Sequence, residues 1–580
     1  MYTSRRLSSA SSGERGRARS LRIILAIAAV VIFVRLVQVQ IIEHGSWARA
    51  AAAVQEREVE MSPRRGAIYD RNATLLAYDV KAMAIAIDSY DMTRPLELTK
   101  ILTEELRLPA AEVTKLVYRP SYFTWIDRTV DLETAKRVEG RASKAGAYGL
   151  IFLDAWKRYY PQGNLASNMI GFVGADGAGL EGLELQYDKL LRGVPMILHV
   201  VQGADGRTYQ SRIVEQGEPG QDLHLTLDAG LQLLCEKRVA QCASQYSALS
   251  GMMIALDPRT GEVLAMAQDK TYDLNRFGTS TAAQRQNVAV TKIFEPGSIF
   301  KAVSGLSAVE AGVVGPDTLL QGTDGIKING HTIHNAGKLS YGTDTNGKVT
   351  FRKVIEESIN TGIVDATRRL DKDSLHQTMT LLGFGSATGI DLPGEEKGIL
   401  RPAEQWTDLD RATASFGQSV GVTGIQLARG LSVIANGGFL VTPYVVQPMA
   451  TKPARKSQDA SSPPRVADAE ACATMRDIMT DVVAHGTGTN AIIPGLKIAG
   501  KTGTAQKAVA GQGYVDGKYT VLFSGLVPAD APELLFVVVF DEPKRPDGGQ
   551  VGGGTIAAPV FHDVMTEWIN TGHFLPPSQR

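Results

Sequence analysis

Glu295-Pro296-Gly297-Ser298-Ile299-Phe300-Lys301 sets a Pro-Gly break directly before a serine, starts a helix there, and brings a lysine onto the serine's face one turn later. That spacing carries chemistry. A serine hydroxyl is a poor nucleophile until a neighbouring base takes its proton, and a lysine can serve only when neutral. Burial and a second nearby cation both lower a lysine's pKa. Two further segments supply what is missing: Ser358-Ile359-Asn360 and Lys501-Thr502-Gly503-Thr504. A chain of this length carries about one Ser-x-x-Lys and about one Ser-x-Asn by chance. Order, wide separation and local context therefore give the trio its weight.

Each member has a plainer reading alone: Ser298 as a helix cap, Asn360 in a turn, Lys501 as a solvated strand lysine. Together they assign roles. Ser298 is the candidate nucleophile, Lys301 its base and Lys501 the second cation. Ser358, in a bend between helices, can relay a proton to a leaving amine, and Asn360 offers an amide donor and acceptor for a peptide-like substrate. Ile498-Ala499-Gly500 leads into Lys501 as a strand whose glycines admit another backbone closely, so a substrate can lie beside it as an added strand. Lys501 with the hydroxyls of Thr502 and Thr504 then meets a terminal carboxylate, with Gly503 between them. The helix N-terminus and the Thr504 N–H stabilise an oxyanion.

Working outward, Asp222 to Asp228 alternates as a strand and Ala229 to Ser244 reads as a helix. Met252 to Leu256 and Glu262 to Met266 form a hairpin around Asp257-Pro258-Arg259-Thr260-Gly261. A second apolar pair, Val521 to Val527 and Leu534 to Phe540, flanks Pro528 to Pro532. If both pairs join one sheet, the stretch between them is mostly helical insertion; Val303 to Gly312, Phe351 to Arg369 and Thr423 to Asn436 carry helical periodicity. Thr451 to Arg465 is a polar, Pro/Ser-rich loop.

At 580 residues, two or three folded units are expected, and 61 basic against 61 acidic residues argue against a nucleic-acid groove. Charge is uneven at the start, where Arg5, Arg6, Arg15, Arg17, Arg19 and Arg22 face only Glu14, the positive-inside pattern of a cytoplasmic tail. The apolar run from residue 23 to 42 is long enough for ~30 Å of hydrocarbon. A cleaved signal peptide is the rival, but the small residues Ala50 to Ala53 lie too far beyond the apolar core. An uncleaved anchor places everything after residue 43 outside the cytoplasm. Arg35 and Gln38 share a face, either to meet a membrane partner or to snorkel outward.

Trp47 to Glu60 reads as a continuing helix, and Arg64 to Ala77 as a hairpin turning at Asp70 to Asn72. The region to about residue 220 mixes strands and short helices without a catalytic constellation, as a pedestal would. Three cysteines, Cys235, Cys242 and Cys472, read as buried free thiols, the first two being about 10 Å apart along a helix. His331 and His334 lack ligand-spaced companions, so no metal or cofactor is expected.

At these motifs the chain resembles the class B penicillin-binding proteins. Arg65-Gly66-x-Ile68-x-Asp70-Arg71-Asn72, Gly179-Leu180-Glu181-Gly182-Leu183-Glu184, Asp257-Pro258-x-Thr260-Gly261-Glu262 and Gly552-Gly553 are family-like, while Ala73 and Gly424 stand where glycine and proline are commoner. The resemblance implies an α+β protein: cytoplasmic tail 1–22, transmembrane anchor 23–42, elongated mixed α/β pedestal or dimerisation-type domain 43–220, penicillin-binding transpeptidase domain 221–572 with an antiparallel sheet flanked by helices, and tail 573–580. It implies a D-alanyl-D-alanine stem-peptide donor from peptidoglycan, acylation of Ser298 by β-lactam antibiotics, and residence in the inner membrane. Ser-x-Asn rather than Ser-x-Asp in the second motif favours the septal type, working at the division site beside a SEDS-type glycosyltransferase and other division proteins. A serine β-lactamase, a D,D-carboxypeptidase and a division-site scaffold are the alternatives.

Overall fold

The computed structural model describes residues 12–47, 56–202, 208–342, 345–448, 463–509 and 513–576. The expected loop at Thr451 to Arg465 and the ends of both tails lie largely outside them. Packing divides the chain into two compact units, residues up to Pro63 with Val194–Glu218, and Arg64–Gly193 with the remainder from Pro219.

In the first unit, helix α1 (Ser12–Val37) runs into a wider turn, Gln38–Ile42. Arg19–Ile42 makes 24 residues long and apolar enough to cross a membrane, about 36 Å at 1.5 Å per residue. The unit also holds strand β1 (Glu56–Met61). This corrects the helix expected from Trp47 to Glu60: its alternating charges suit one face of a strand as well as a helix, and residues 48–55 lie outside the description.

The second unit opens with β2 (Ile68–Tyr69), β3 (Leu75–Ile87), helix α2 (Pro95–Leu106), β4 (Thr124–Asp131), α3 (Leu132–Ala145) and β5 (Leu150–Tyr159). Ile85, Ile87, Leu98, Ile101, Leu102 and Val138 bury a small core between sheet and helices. Strands β6 (Met196–Gln202) and β7 (Thr208–Glu215) belong to the first unit and complete an antiparallel sheet in the order β1-β6-β7. Strand β8 (Leu223–His224) pairs with β2 and is shorter than the strand expected over Asp222 to Asp228. The turn expected at Asp70 to Asn72 is present. Asp70 Oδ1 accepts from the N–H groups of Asn72 and Thr74, and Ala73 takes φ 63°, the left-handed conformation for which a glycine would be better suited.

The family-like segments around Arg65 and Glu184 meet in a buried ionic cluster. Arg65 Nε donates to Glu184 Oε2 at 2.6 Å and its Nη1 to Asp188 Oδ1 at 2.6 Å, while Arg158 Nε donates to Glu184 Oε1 at 2.7 Å. Glu184 is fully buried and Arg65 5% exposed. Because Arg65→Met leaves the buried Glu184 with Arg158 as its one cation and takes Arg65 from Asp188, it is expected to destabilise this unit by about 3 kcal/mol. Urea unfolding of the full chain should show an earlier transition.

The main sheet, all antiparallel, runs in the order Val263–Gln268, Ser250–Leu256, Leu534–Asp541, Gly513–Val527 and Ala499–Val509. It begins with helix α4 (Ala229–Gln245), β9 (Ser250–Leu256) and β10 (Val263–Gln268). Helices α5 (Phe300–Glu310), α6 (Phe351–Glu356), α7 (Asn360–Thr367), α8 (Gly424–Asn436) and α9 (Ala469–Ala484) form the insertion. Then come β11 (Ala499–Val509), β12 (Gly513–Val527), β13 (Leu534–Asp541) and α10 (Ala558–Asn570). Phe351 to Arg369 thus holds two helices, with Ser358 in the bend expected between them. Successive residues of the apolar runs enter opposite cores, as a period of two requires. Ile254, Leu256, Val537 and Val539 face the core of α5 and α8, whereas Met253, Ala255, Phe536 and Val538 face α4 and α10. Cys235, Cys242 and Cys472 are buried and free.

Candidate active site

Helix α5 is buried on every side from Phe300 to Ala308, which fixes its N-terminus rigidly. A short 3-10 turn, Gly297–Ile299, leads into it and leaves Ser298 partly exposed. Gly297 has φ 54°, and a Cβ there would stand 3.0 Å from that of Ala505. Gly503 is pinched likewise: a Cβ would lie 3.0 Å from Ile299 Cγ1 and 3.2 Å from the Pro296 carbonyl oxygen. These two glycines let the serine-bearing turn lie directly on strand β11, which is an edge of the sheet.

Lys301, one turn beyond Ser298, is fully buried. Its Nζ donates to Asn360 Oδ1 at 2.7 Å and Ser358 Oγ at 3.1 Å, and also to the Ser358 carbonyl. Lys501, equally buried, donates from Nζ to the same Ser358 Oγ at 3.0 Å and to the Thr502 carbonyl at 3.0 Å. Among the described residues no carboxylate pairs with either lysine. Burial first, and the neighbouring Lys501 charge second, hold Lys301 well below the usual lysine range; burial brings Lys501 down to about 7. Ser358 accepts from both lysines, so its own O–H remains available to donate.

The bend between α6 and α7 that presents Ser358 is strained, with φ 59° at a non-glycine residue. Such strain costs about 1–3 kcal/mol and persists where surrounding contacts fix it; the side-chain nitrogens of Lys301 and Lys501 do so here. Asn360 Nδ2 donates to the His334 carbonyl at 2.8 Å, leaving one amide hydrogen for a ligand. His334 is in turn tied through Nδ1 to Asp324 Oδ2 at 2.8 Å.

Along β11, Thr502 Oγ1 lies 2.6 Å from Thr487 Oγ1, and Thr504 Oγ1 accepts from the Gly553 N–H at 3.2 Å. Gly503 stands opposite Leu522 of β12. The structure therefore brings Lys301, Ser358, Asn360 and Lys501 into one hydrogen-bonded cluster. Ser298 lies beside it on the turn, and its Oγ has no partner among the described residues. Sequence reasoning did not find His334, Thr487 or Gly553, since each acts through a fold-dependent contact; only the Gly552-Gly553 pair left a trace.

A serine on a helix-leading turn, a neutralised lysine behind it and a lysine-bearing edge strand define a serine acyltransferase of the penicillin-recognising kind. Residues 251–566 match the penicillin-binding protein transpeptidase domain family, and residues 60–225 the penicillin-binding protein dimerisation domain family. Stage V sporulation protein D of Bacillus subtilis is 31% identical over 95% of this chain and 85% of its own. Peptidoglycan D,D-transpeptidase FtsI of Escherichia coli is 30% identical over 90% of this chain and 86% of its own. The crystal structure of penicillin-binding protein 3 from Mycobacterium tuberculosis, complexed with aztreonam, superposes with a TM-score of 0.67 at 28% identity, covering 89% of this chain and 99% of that one. The chain belongs to the penicillin-binding proteins, in their class B, where a dimerisation domain precedes the transpeptidase domain. With the apolar helix at Arg19–Ile42, it is a single-pass membrane protein.

Proposed function

We propose that this chain is a peptidoglycan D,D-transpeptidase of septal wall synthesis that acts through an acyl-enzyme on Ser298. Lys301, neutral, takes the Ser298 proton as Oγ attacks the carbonyl of the penultimate D-alanine of a D-alanyl-D-alanine donor. The N–H groups of Ser298 and Thr504 receive the oxyanion. Ser358 passes the proton to the leaving D-alanine nitrogen, and Asn360 holds the donor's amide. Lys501, with Thr502 and Thr504 beside Gly503, grips the terminal carboxylate. An amine from a neighbouring stem peptide then takes the acyl group, releasing Ser298.

The single observation that carries this reading is Lys301: fully buried, without a carboxylate partner, and hydrogen-bonded to both Ser358 and Asn360. β-Lactams enter the same cleft, in keeping with the aztreonam complex of the related M. tuberculosis protein. We place a cytoplasmic tail at 1–22, the anchor at 23–42, the non-catalytic domain at 43–220, the transpeptidase domain at 221–572 and a tail at 573–580. The protein works outside the cytoplasm at the division site, beside a SEDS-type glycosyltransferase and other division proteins; its likeness to FtsI supports that assignment. Incubated with a fluorescent penicillin, the full chain should form an adduct persisting for many minutes. Rapid turnover would indicate a β-lactamase instead, and absence of labelling a scaffold.

A further inference from the structure

Asp324 lies outside all three motifs, yet both of its carboxylate oxygens are engaged in supporting the second. It stands just before the strand Ile326–Ile328, and His334 and Asn335 directly follow that strand's antiparallel partner, His331–Ile333. The register sets Ile326 opposite Ile333, so closing this hairpin brings Asp324 up to His334 and Asn335. Asp324 Oδ2 lies 2.8 Å from His334 Nδ1, and its Oδ1 accepts from the Asn335 N–H at 2.7 Å.

These two neighbours in turn grip the start of α7. The His334 carbonyl accepts from Asn360 Nδ2 at 2.8 Å, while Asn335 Oδ1 accepts from the Thr361 N–H at 3.0 Å and from its hydroxyl at 3.1 Å. Asn335 is itself buried, and its Nδ2 donates to the Leu339 carbonyl at 2.9 Å. One carboxylate thus fixes the two residues that hold Asn360 and Thr361.

The polarity of the Asn360 amide depends on this support. A charged Lys301 would impose it, since an ammonium can only donate and must face Oδ1. Neutral Lys301, the form the proposed reaction needs, carries a lone pair on Nζ and can accept as well as donate, so it tolerates either end of the amide. The His334 carbonyl can only accept. It demands Nδ2 in both states of Lys301 and leaves the second amide hydrogen for the ligand.

We infer that Asp324 is a positioning residue for acylation, which through His334 and Asn335 fixes the orientation of the Asn360 amide while Lys301 is neutral. This rests on the reading, given above, that Asn360 holds the donor's amide.

The test is a ratio of second-order acylation rate constants measured on the full chain, benzylpenicillin over 6-aminopenicillanic acid, the same β-lactam without its side-chain amide. Loss of one well-placed hydrogen bond to that amide lowers the ratio about fivefold, and Asn360→Ala should do so. Asp324→Ala should lower it by a similar factor, whereas Asp324→Asn, which keeps an acceptor for the Asn335 N–H, should lower it in part. Adding Asp324→Ala to Asn360→Ala should lower it no further, because the two act as a unit. A residue serving stability alone would slow both β-lactams alike, and a ratio within one variant does not depend on how much of it is folded. Should Asp324→Ala fail to label with penicillin, Asp324→Asn carries the test. A wild-type ratio in either variant overturns the inference, as does a further drop in the double variant. If Asn360→Ala itself leaves the ratio unchanged, the reading of Asn360 falls, and this inference with it.

Discussion

Ser298→Ala should abolish covalent labelling by fluorescent penicillin and lower D-alanine release by at least about 10⁴-fold. No other hydroxyl is placed to replace it: Ser358 Oγ is held between the side-chain nitrogens of Lys301 and Lys501, and Thr502 and Thr504 are bonded to Thr487 and Gly553. On the proposed mechanism Lys301 activates a nucleophile and forms no bond to the substrate itself. Adding Lys301→Gln to Ser298→Ala should therefore cost little more, because residues that act as a unit are strongly non-additive. A substantial further loss in the double variant would show Lys301 working independently of Ser298. Cells whose only copy carries Ser298→Ala should elongate without septating; normal division would refute the septal assignment while leaving the acyl-enzyme intact.

The site was legible in the sequence to the extent that covalent chemistry limits residue choice. A serine needs a base at i+3 and an oxyanion site, and these survive as short motifs wherever the chain folds. The main sheet was legible for a different reason. Runs such as Leu534 to Phe540 are apolar at every position because both faces are covered, and a Pro or Gly turn separates the hairpin partners. Glu56–Met61 escaped, since its pairing partner Met196–Gln202 lies about 140 positions away and nothing local marks a strand whose ladder is so remote. The left-handed φ of Ser358 escaped as well. Serine shows no preference for that conformation, and the contacts of its side chain and carbonyl with Lys301 and Lys501 make it tolerable. His334 contributes through its carbonyl oxygen, which accepts from Asn360 and is placed by tertiary neighbours alone.

Lys501→Gln should move the acid limb of the acylation pH profile upward and erase its alkaline fall. On the proposed mechanism wild-type acylation requires neutral Lys301, so the rate should rise as pH increases through the Lys301 pKa, which burial and the Lys501 charge hold low. Holding the substrate carboxylate requires charged Lys501, so the rate declines as pH rises past about 7, where burial has brought that group. The two lysine nitrogens share Ser358 Oγ, and the profile reports macroscopic values belonging to the pair. Glutamine keeps a polar side chain at the site but removes the charge, and with it one of the two causes depressing Lys301. The Lys301 pKa then rises, more alkali is needed to free the base, and no alkaline limb remains from residue 501. At neutral pH both effects act in one direction, for an expected loss of about 10²–10³-fold in the second-order rate constant with penicillin. Measuring that constant from about pH 5 to about pH 10 separates the causes. A uniform fall with the acid limb unmoved would mean that Lys501 serves the carboxylate alone and that burial by itself neutralises Lys301.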